Sequence, residues 1–177
     1  MTQIRRATVG DSAGLARVQV DSYRMGYAGL LPEEYLEGFS YEEQELDWRA
    51  WLPAHPEDLL YVAVKDDEVV GYALGRPSQR GFGLYDGELV ALHVRQLHWR
   101  QGIGRQLVVA VAGELKQLGC SSLMLWVLEG NPSRAFYERL GGRAEGKQPV
   151  ILGEGVAAVE VAYGWPDIEM LGGQRAD

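Results

Sequence analysis

A single mixed α/β layered domain is what this sequence predicts, and three observations carry it. Two apolar runs, ELVALHV and SSLMLWV, read as buried strands. A helix-periodic segment lies between them, which makes a β-α-β unit with a parallel crossover. The chain of 177 residues is 46% apolar and 24% charged, which suits one soluble domain spanning 1–177.

The other elements follow in order. TQIRRATVGD reads as a short first strand ending in a helix cap, with Asp11 or Ser12 as the capping residue. Leu15, Val18 and Tyr23 give the helix behind it an apolar face. GLLP breaks the chain, and PEEYLEGFSYEEQELDWRAWL forms one or two helices with Pro32 in a first turn. LLYVAVKDDEVVGYALGRP reads as a hairpin, two Val- and Tyr-rich runs around KDDE. YDGELVALHV is a long buried strand. The helix after it carries Ile103, Leu107, Val108, Val111, Leu115 and Leu118 at helical spacing and stops at Gly119. NPSRAFYERLGG is a short helix ending at Gly141, and GVAAVEVAYGW is a final strand. The tail 166–177, ending LGGQRAD, is expected to be mobile.

Composition excludes several classes. No apolar run approaches the ~20 residues of a membrane span, and the N-terminus lacks a signal-type apolar core. The single Cys120 forms no internal disulfide, and the three histidines are scattered rather than spaced as metal ligands. These features predict a cytosolic protein with no metal and no membrane partner. A net charge of −8 argues against broad nucleic-acid binding. The charge is uneven, however. Leu89 to Gly113 contains no acid but holds Arg95, Arg100 and Arg105, whereas Met25 to Trp48 contains no Lys or Arg but holds Glu33, Glu34, Glu37, Glu42, Glu43, Glu45 and Asp47. The first stretch suits an anion. The second is a solvated helix face or a surface that attracts a cation.

The stretch HWRQGIGRQL opens the helix after the buried strand. Such a turn presents free backbone N–H groups and the positive end of a helix dipole, and Gly102 and Gly104 let an anion approach closely. It is not a P-loop, because Arg105 and Gln106 stand where Lys and Ser/Thr are needed. It is not a dinucleotide fingerprint either, because Leu107 stands where a third small residue belongs.

ELVALHVRQLHWRQGIGRQLVVAV resembles the central motif of the GNAT superfamily of acetyl-CoA-dependent N-acetyltransferases, and EGNPSRAFYERLGGR resembles its second motif. The motif core spans 85–143. One residue departs from the pattern: Trp99 stands where the family has Gln or Arg. The resemblance implies a mostly antiparallel central sheet, splayed between its two middle strands, with helices on both faces. Acetyl-CoA would be the cosubstrate. Its pantetheine would pair with the open strand edge at Leu92, His93 and Val94. Its pyrophosphate would rest on the turn formed by Arg100, Gln101, Gly102, Ile103, Gly104 and Arg105. Asn131 would bond the cofactor, or cap the short helix, or do both.

Acetyl transfer needs a neutral amine, a donor for the developing oxyanion and an acid for the leaving thiolate. Tyr137 is the candidate acid. With Phe136 and Leu140 taken as the core face, it should turn about 100° away from the core. The oxyanion donor would be the N–H of His93 or Val94. Glu88 is the favoured base and His93 the alternative; five apart on a regular strand, they should point to opposite faces. Tyr23, Tyr27, Tyr35, Phe39 and Trp48 lie among the seven acids of the Met25–Trp48 region or just before it. Aromatic and carboxylate groups together suit a small cationic amine, such as a polyamine. The alternatives are a protein N-terminus or lysine as acceptor, and a non-catalytic acetyl-CoA sensor. The assembly is a monomer or a homodimer.

Overall fold

The computed structural model describes residues 1–78 and 85–173. Seven strands form one sheet in the order β1-β2-β3-β4-β5-β7-β6. They are β1 (Gln3–Arg6), β2 (Leu59–Lys65), β3 (Glu68–Pro77), β4 (Gly87–Val94), β5 (Leu123–Leu128), β6 (Arg143–Ile151) and β7 (Ala157–Trp165). The helices are α1 (Ser12–Gly26), α2 (Glu33–Glu37), α3 (Tyr41–Ala54), α4 (Ile103–Gln117), α5 (Arg134–Arg139) and α6 (Met170–Gly173). No helix among the described residues is long and apolar enough to cross a membrane.

Every neighbouring pair of strands is antiparallel except β4 and β5. That pair is parallel and in register only at Gly87↔Leu123 and Glu88↔Met124. Beyond Glu88 the two middle strands part, and the sheet opens into a V as expected. The joint at its apex is held by Asp86. Its carboxylate accepts the backbone N–H groups of Ser121 and Ser122 and both serine hydroxyls, at 2.7–3.0 Å.

Strand alternation sends side chains to two cores. On one face Leu59, Ala63, Ala73 and Leu89 meet Leu107, Val108, Val111 and Leu115 of α4. On the other, Leu60, Val62, Tyr72 and Leu74 meet Leu15 and Val18 of α1, with Trp48 and Trp51 of α3 packed beside them. Helices thus cover both faces, and each amphipathic stripe read from the sequence finds its partner.

The structure adds one strand, settles one alternative and changes two expectations. The hairpin partner of β7 is β6, whose sequence RAEGKQPVI carries no apolar alternation and which lies at the sheet edge. Asp11 precedes α1, but its carboxylate turns back to the Thr8 N–H at 2.7 Å and to the Arg5 guanidinium at 2.8 Å instead of capping α1. PEEYLEGFSYEEQELDWRAWL forms two helices, with Pro32 at the N-cap of α2. Finally, Ile168 and Leu171 are buried in the α4-side core, so the segment read as a mobile tail is anchored up to α6. Its last residues, 174–177, lie outside the described residues.

Candidate active site

The site lies where the V opens. Register shows which face each β4 residue serves. Gly75 pairs with Leu89 and Leu74 with Ala91, leaving Val90 as a bulge. A side chain on Gly75 would strike Val111 of α4, and one on Gly87 would meet Leu115. Leu89 and Gly87 therefore face α4, and Glu88 between them faces the α1 side. The bulge resets the phase, so Ala91 and His93 also face α1, while Leu92 and Val94 pack toward α4. Glu88 and His93, expected on opposite faces, share one.

The backbone of β4 can be assigned in the same way. The Arg95 N–H donates to Val70 O at 2.9 Å. By antiparallel alternation the N–H and C=O groups of Leu92 and Val94 then point into the opening, and those of His93 point to β3. Of the two candidate oxyanion donors, the Val94 N–H is available and the His93 N–H is committed to the sheet.

The phosphate turn is built on left-handed backbone. Arg100 has φ 58° and Gly102, the N-cap of α4, has φ 75°. Gln106 donates to Gly102 O at 3.0 Å and is the first residue of α4 to close a helical bond; the preceding N–H groups point outward. Gly104 sits under the Phe136 ring of α5, which a Cβ would approach to 3.3 Å. Ile103 is buried, so only its main chain is offered. The Gln101 side chain binds Leu97 O at 3.2 Å and the Lys65 ammonium at 3.0 Å. Lys65, at the end of β2, adds a cation beside the turn that sequence reasoning missed. Trp99 now has a role: its indole N–H donates to Val94 O at 2.6 Å, tying the turn to the end of β4. A pyrophosphate fits this turn, and a strand-like chain fits the Leu92–Val94 edge leading from it.

On the far side of the V, Asn131 Oδ1 accepts the Ser133 N–H at 2.8 Å and the Ser133 hydroxyl at 2.7 Å, so it organises the entry to α5. Tyr137 is 7% exposed and lies within the core, its ring 6.1 Å from Tyr163 and 6.5 Å from Trp165. This reverses the expected orientation. α5 is wedged between the sheet and the start of α4, so Tyr137 and Leu140 face the core and Phe136 faces Gly104. Burial pushes the Tyr137 phenol up to about 12, against a smaller opposing effect of Ser133.

The α1 face of the opening is aromatic. Tyr23 lies 5.0 Å from Tyr27, 4.6 Å from Phe39 and 5.7 Å from His93, and Tyr35 meets Phe39 edge-on. His93 is also 5.2 Å from Tyr72. Burial among these rings lowers the imidazole to about 4. Tyr27 bridges the two half-sheets. Burial raises its phenol most, with Tyr23, Tyr137 and Glu160 adding to the rise and the Asn131 side chain opposing it. Trp48 does not join this wall; it packs on Trp51 and Tyr72 and donates to Gln19 at 2.7 Å. Six of the seven acids of the Met25–Trp48 stretch are exposed, and the seventh, Glu45, pairs with Arg49, which is the solvated-face arrangement. Glu88 is 8% exposed and meets Arg76 Nε at 3.4 Å at the apex of the V.

The segment after α1 also reaches the opposite half of the sheet. Leu30 fills the space above Gly130, where a Cβ would lie 2.5 Å from its Cδ2, and Tyr35 rests 3.6 Å from the Cβ position of Gly153, beyond β6.

Comparison with known proteins agrees with this architecture. The model of the acetyltransferase (GNAT) family matches residues 25–142. YuaI, an uncharacterized N-acetyltransferase of Bacillus subtilis strain 168, is 36% identical over 174 residues, covering 97% of this chain and 96% of its own. The PaiA N-acetyltransferase of Thermoplasma acidophilum in complex with coenzyme A has the same fold, with TM-score 0.69 and 21% identity over 90% of this chain and 98% of that one. So does YncA of Salmonella typhimurium with acetyl-CoA, with TM-score 0.69 and 17% identity over 100% of this chain and 97% of that one. The chain belongs to the acetyltransferase (GNAT) family and is an N-acetyltransferase whose acetyl donor is acetyl-CoA.

Proposed function

We propose that the enzyme acetylates the primary amine of a small cationic molecule. The observation that carries this is the roof. Leu30 on Gly130 and Tyr35 on Gly153 tie the α1–α2 segment to the opposite half-sheet, which leaves an aromatic chamber rather than an open peptide groove. Tyr23, Tyr27, Tyr35 and Phe39 offer ring faces to a cation. His93, lowered to about 4, stays neutral at physiological pH and does not repel one.

Acetyl-CoA supplies an activated thioester. With its pyrophosphate on the Arg100–Arg105 turn, the pantetheine runs back along β4 toward the apex, bringing the thioester near the Val90 bulge and Glu88. The Val94 and Leu92 N–H groups are the main-chain donors on that path. Glu88 accepts, through water, the proton that the ammonium must lose. The amine nitrogen then bonds to the acetyl carbon as the C–S bond breaks. Tyr137, protonated, gives its phenolic proton to the leaving sulfur, and the second proton shed by the acylated nitrogen, passed through water, restores the phenol.

Steady-state acetylation over a panel of small amines, neutral amino acids and lysine peptides tests the reading. We expect turnover on small cationic amines. Turnover confined to neutral or acidic amino acids, or to peptides, would sink it. Retained acetyl-CoA binding with no turnover on any amine would identify a sensor instead.

A further inference from the structure

The register of β7 places a carboxylate on the α1 face of the sheet, at the open end of the V. Val161, Tyr163 and Trp165 point into the α4-side core, so Glu160 lies on the opposite face, the one shared by α1, His93 and Glu88. It pairs with Leu128 at the end of β5, where the V is widest. Among the described residues no ion pair holds it; its side-chain hydrogen bond is from Gln148 Nε2, at 3.4 Å. It is half-buried, and a carboxylate removed from water in this way favours a cationic partner. The Glu160 carboxylate also adds to the rise of the Tyr27 phenol.

The spacing of the two carboxylates suits an elongated partner. Glu88 pairs with Met124 at the apex, and Glu160 with Leu128, four residues further along β5. At ~3.3 Å per residue the two register positions lie roughly 13 Å apart along the strands, and the two strand spacings between β4 and β7 add roughly 10 Å across them. Tyr23, beside His93, and Tyr27, beside Tyr23, are rings of the α1 side of the opening. Glu88, paired with Arg76, has the base role at the apex, and Glu160 stands at the other end of the opening.

We propose that Glu160 is a specificity-determining residue that holds the second ammonium of an α,ω-diamine or longer polyamine while the first ammonium, deprotonated at the apex, takes the acetyl group. This rests on the small-amine reading above and names the substrate class within it.

The test compares α,ω-diamines with n-alkyl monoamines of equal chain length, in the wild type and in Glu160→Gln. The wild type should show a KM for the longer diamines roughly tenfold or more below that for the matched monoamines, the scale of one partly desolvated charge pair. Glu160→Gln should raise the diamine KM by about the same factor, with kcat, the monoamine KM and acetyl-CoA affinity kept. Glu160→Asp should recover part of the preference, whereas a merely structural role would not separate diamine from monoamine. Equal wild-type KM values for the two series overturn the proposal and leave the small-amine reading intact. So does a Glu160→Gln enzyme that loses both substrates in proportion. A wild type that acetylates peptides and no small amine overturns both.

Discussion

Burial moves the Tyr137 and His93 rings in opposite directions, and each shift has a measurable consequence. The Tyr137 phenol, raised to about 12, stays protonated at neutral pH, as the acid role proposed for it requires. Tyr137→Phe keeps the ring packed against Tyr163 and Trp165 and removes only the proton donor. It should lower kcat by about a hundredfold or more while the KM for acetyl-CoA changes little; thiol-release kinetics would show the split. A matched loss in KM with kcat preserved would mean that the hydroxyl binds rather than donates. His93 goes the other way. Its ordinary value is 6.5 and its folded value is about 4, so between these pH values the unfolded chain binds a proton that the folded chain refuses. Stability contributed by the neutral ring is therefore full above about 6.5 and is lost as pH falls toward about 4. Thermal denaturation across that window should show the wild type losing ground to His93→Gln as the pH drops. A gap between the two that does not vary with pH would contradict this.

At the scale of elements, the turn before α4 carries the strongest local prediction. Gly102 sits at φ 75°, a conformation that costs an L side chain roughly 1–2 kcal/mol. Gly102→Ala should destabilise the fold by about 1 kcal/mol. It should also weaken acetyl-CoA binding about tenfold, since a turn that relaxes its φ re-aims at least one N–H. Calorimetry and denaturant titration would read the two effects separately. This turn was legible in the sequence because glycine spacing reports directly on backbone conformation. So were the crossover and the β2–β3 hairpin, whose apolar periods are long and unbroken. The Val90 bulge was hidden because ELVALHV is apolar almost throughout; with no alternation to interrupt, nothing marked the change of phase that brings Glu88 and His93 to one face. β6 was hidden for a related reason. As an edge strand with Gly146 and Pro149 and no buried residue, it has little apolar pattern to display. α5 has only six residues and is covered on two sides, so helical spacing could not say whether Phe136 or Tyr137 faced the core. Lys65 reaches Gln101 across 36 positions, a contact that tertiary folding creates.

At the scale of the whole molecule, the enzyme is two half-sheets, β1–β4 and β5–β7–β6, meeting at a narrow joint. Two register pairs and the Asp86 clamp hold the apex, while the Leu30 and Tyr35 contacts close the far side. The acetyl donor would lie between the halves, touching the β4 edge on one side and the α5 region on the other. The angle at the joint therefore sets whether both sides can be reached at once. Burial pushes the Asp86 carboxyl up, but hydrogen bonds from Ser121 and Ser122 outweigh it and leave the group at about 2. The clamp is thus fully ionised above the ordinary carboxylate value of 3.8 and weakens only as pH falls through about 2. Asp86→Ala removes the acceptor for two backbone N–H groups and two hydroxyls, and should cost roughly 2 kcal/mol, a fall in Tm of about 4–8 °C for a chain of this size. The loss should also reach the cofactor site, although Asp86 does not touch it. Saturating acetyl-CoA at a hundred times Kd would stabilise the wild type by about 2.7 kcal/mol, and the same concentration should give Asp86→Ala a smaller rise in Tm because its loosened joint binds the donor less tightly. Equal ligand-induced rises in the two proteins would show that the apex carries stability alone and does not set the opening.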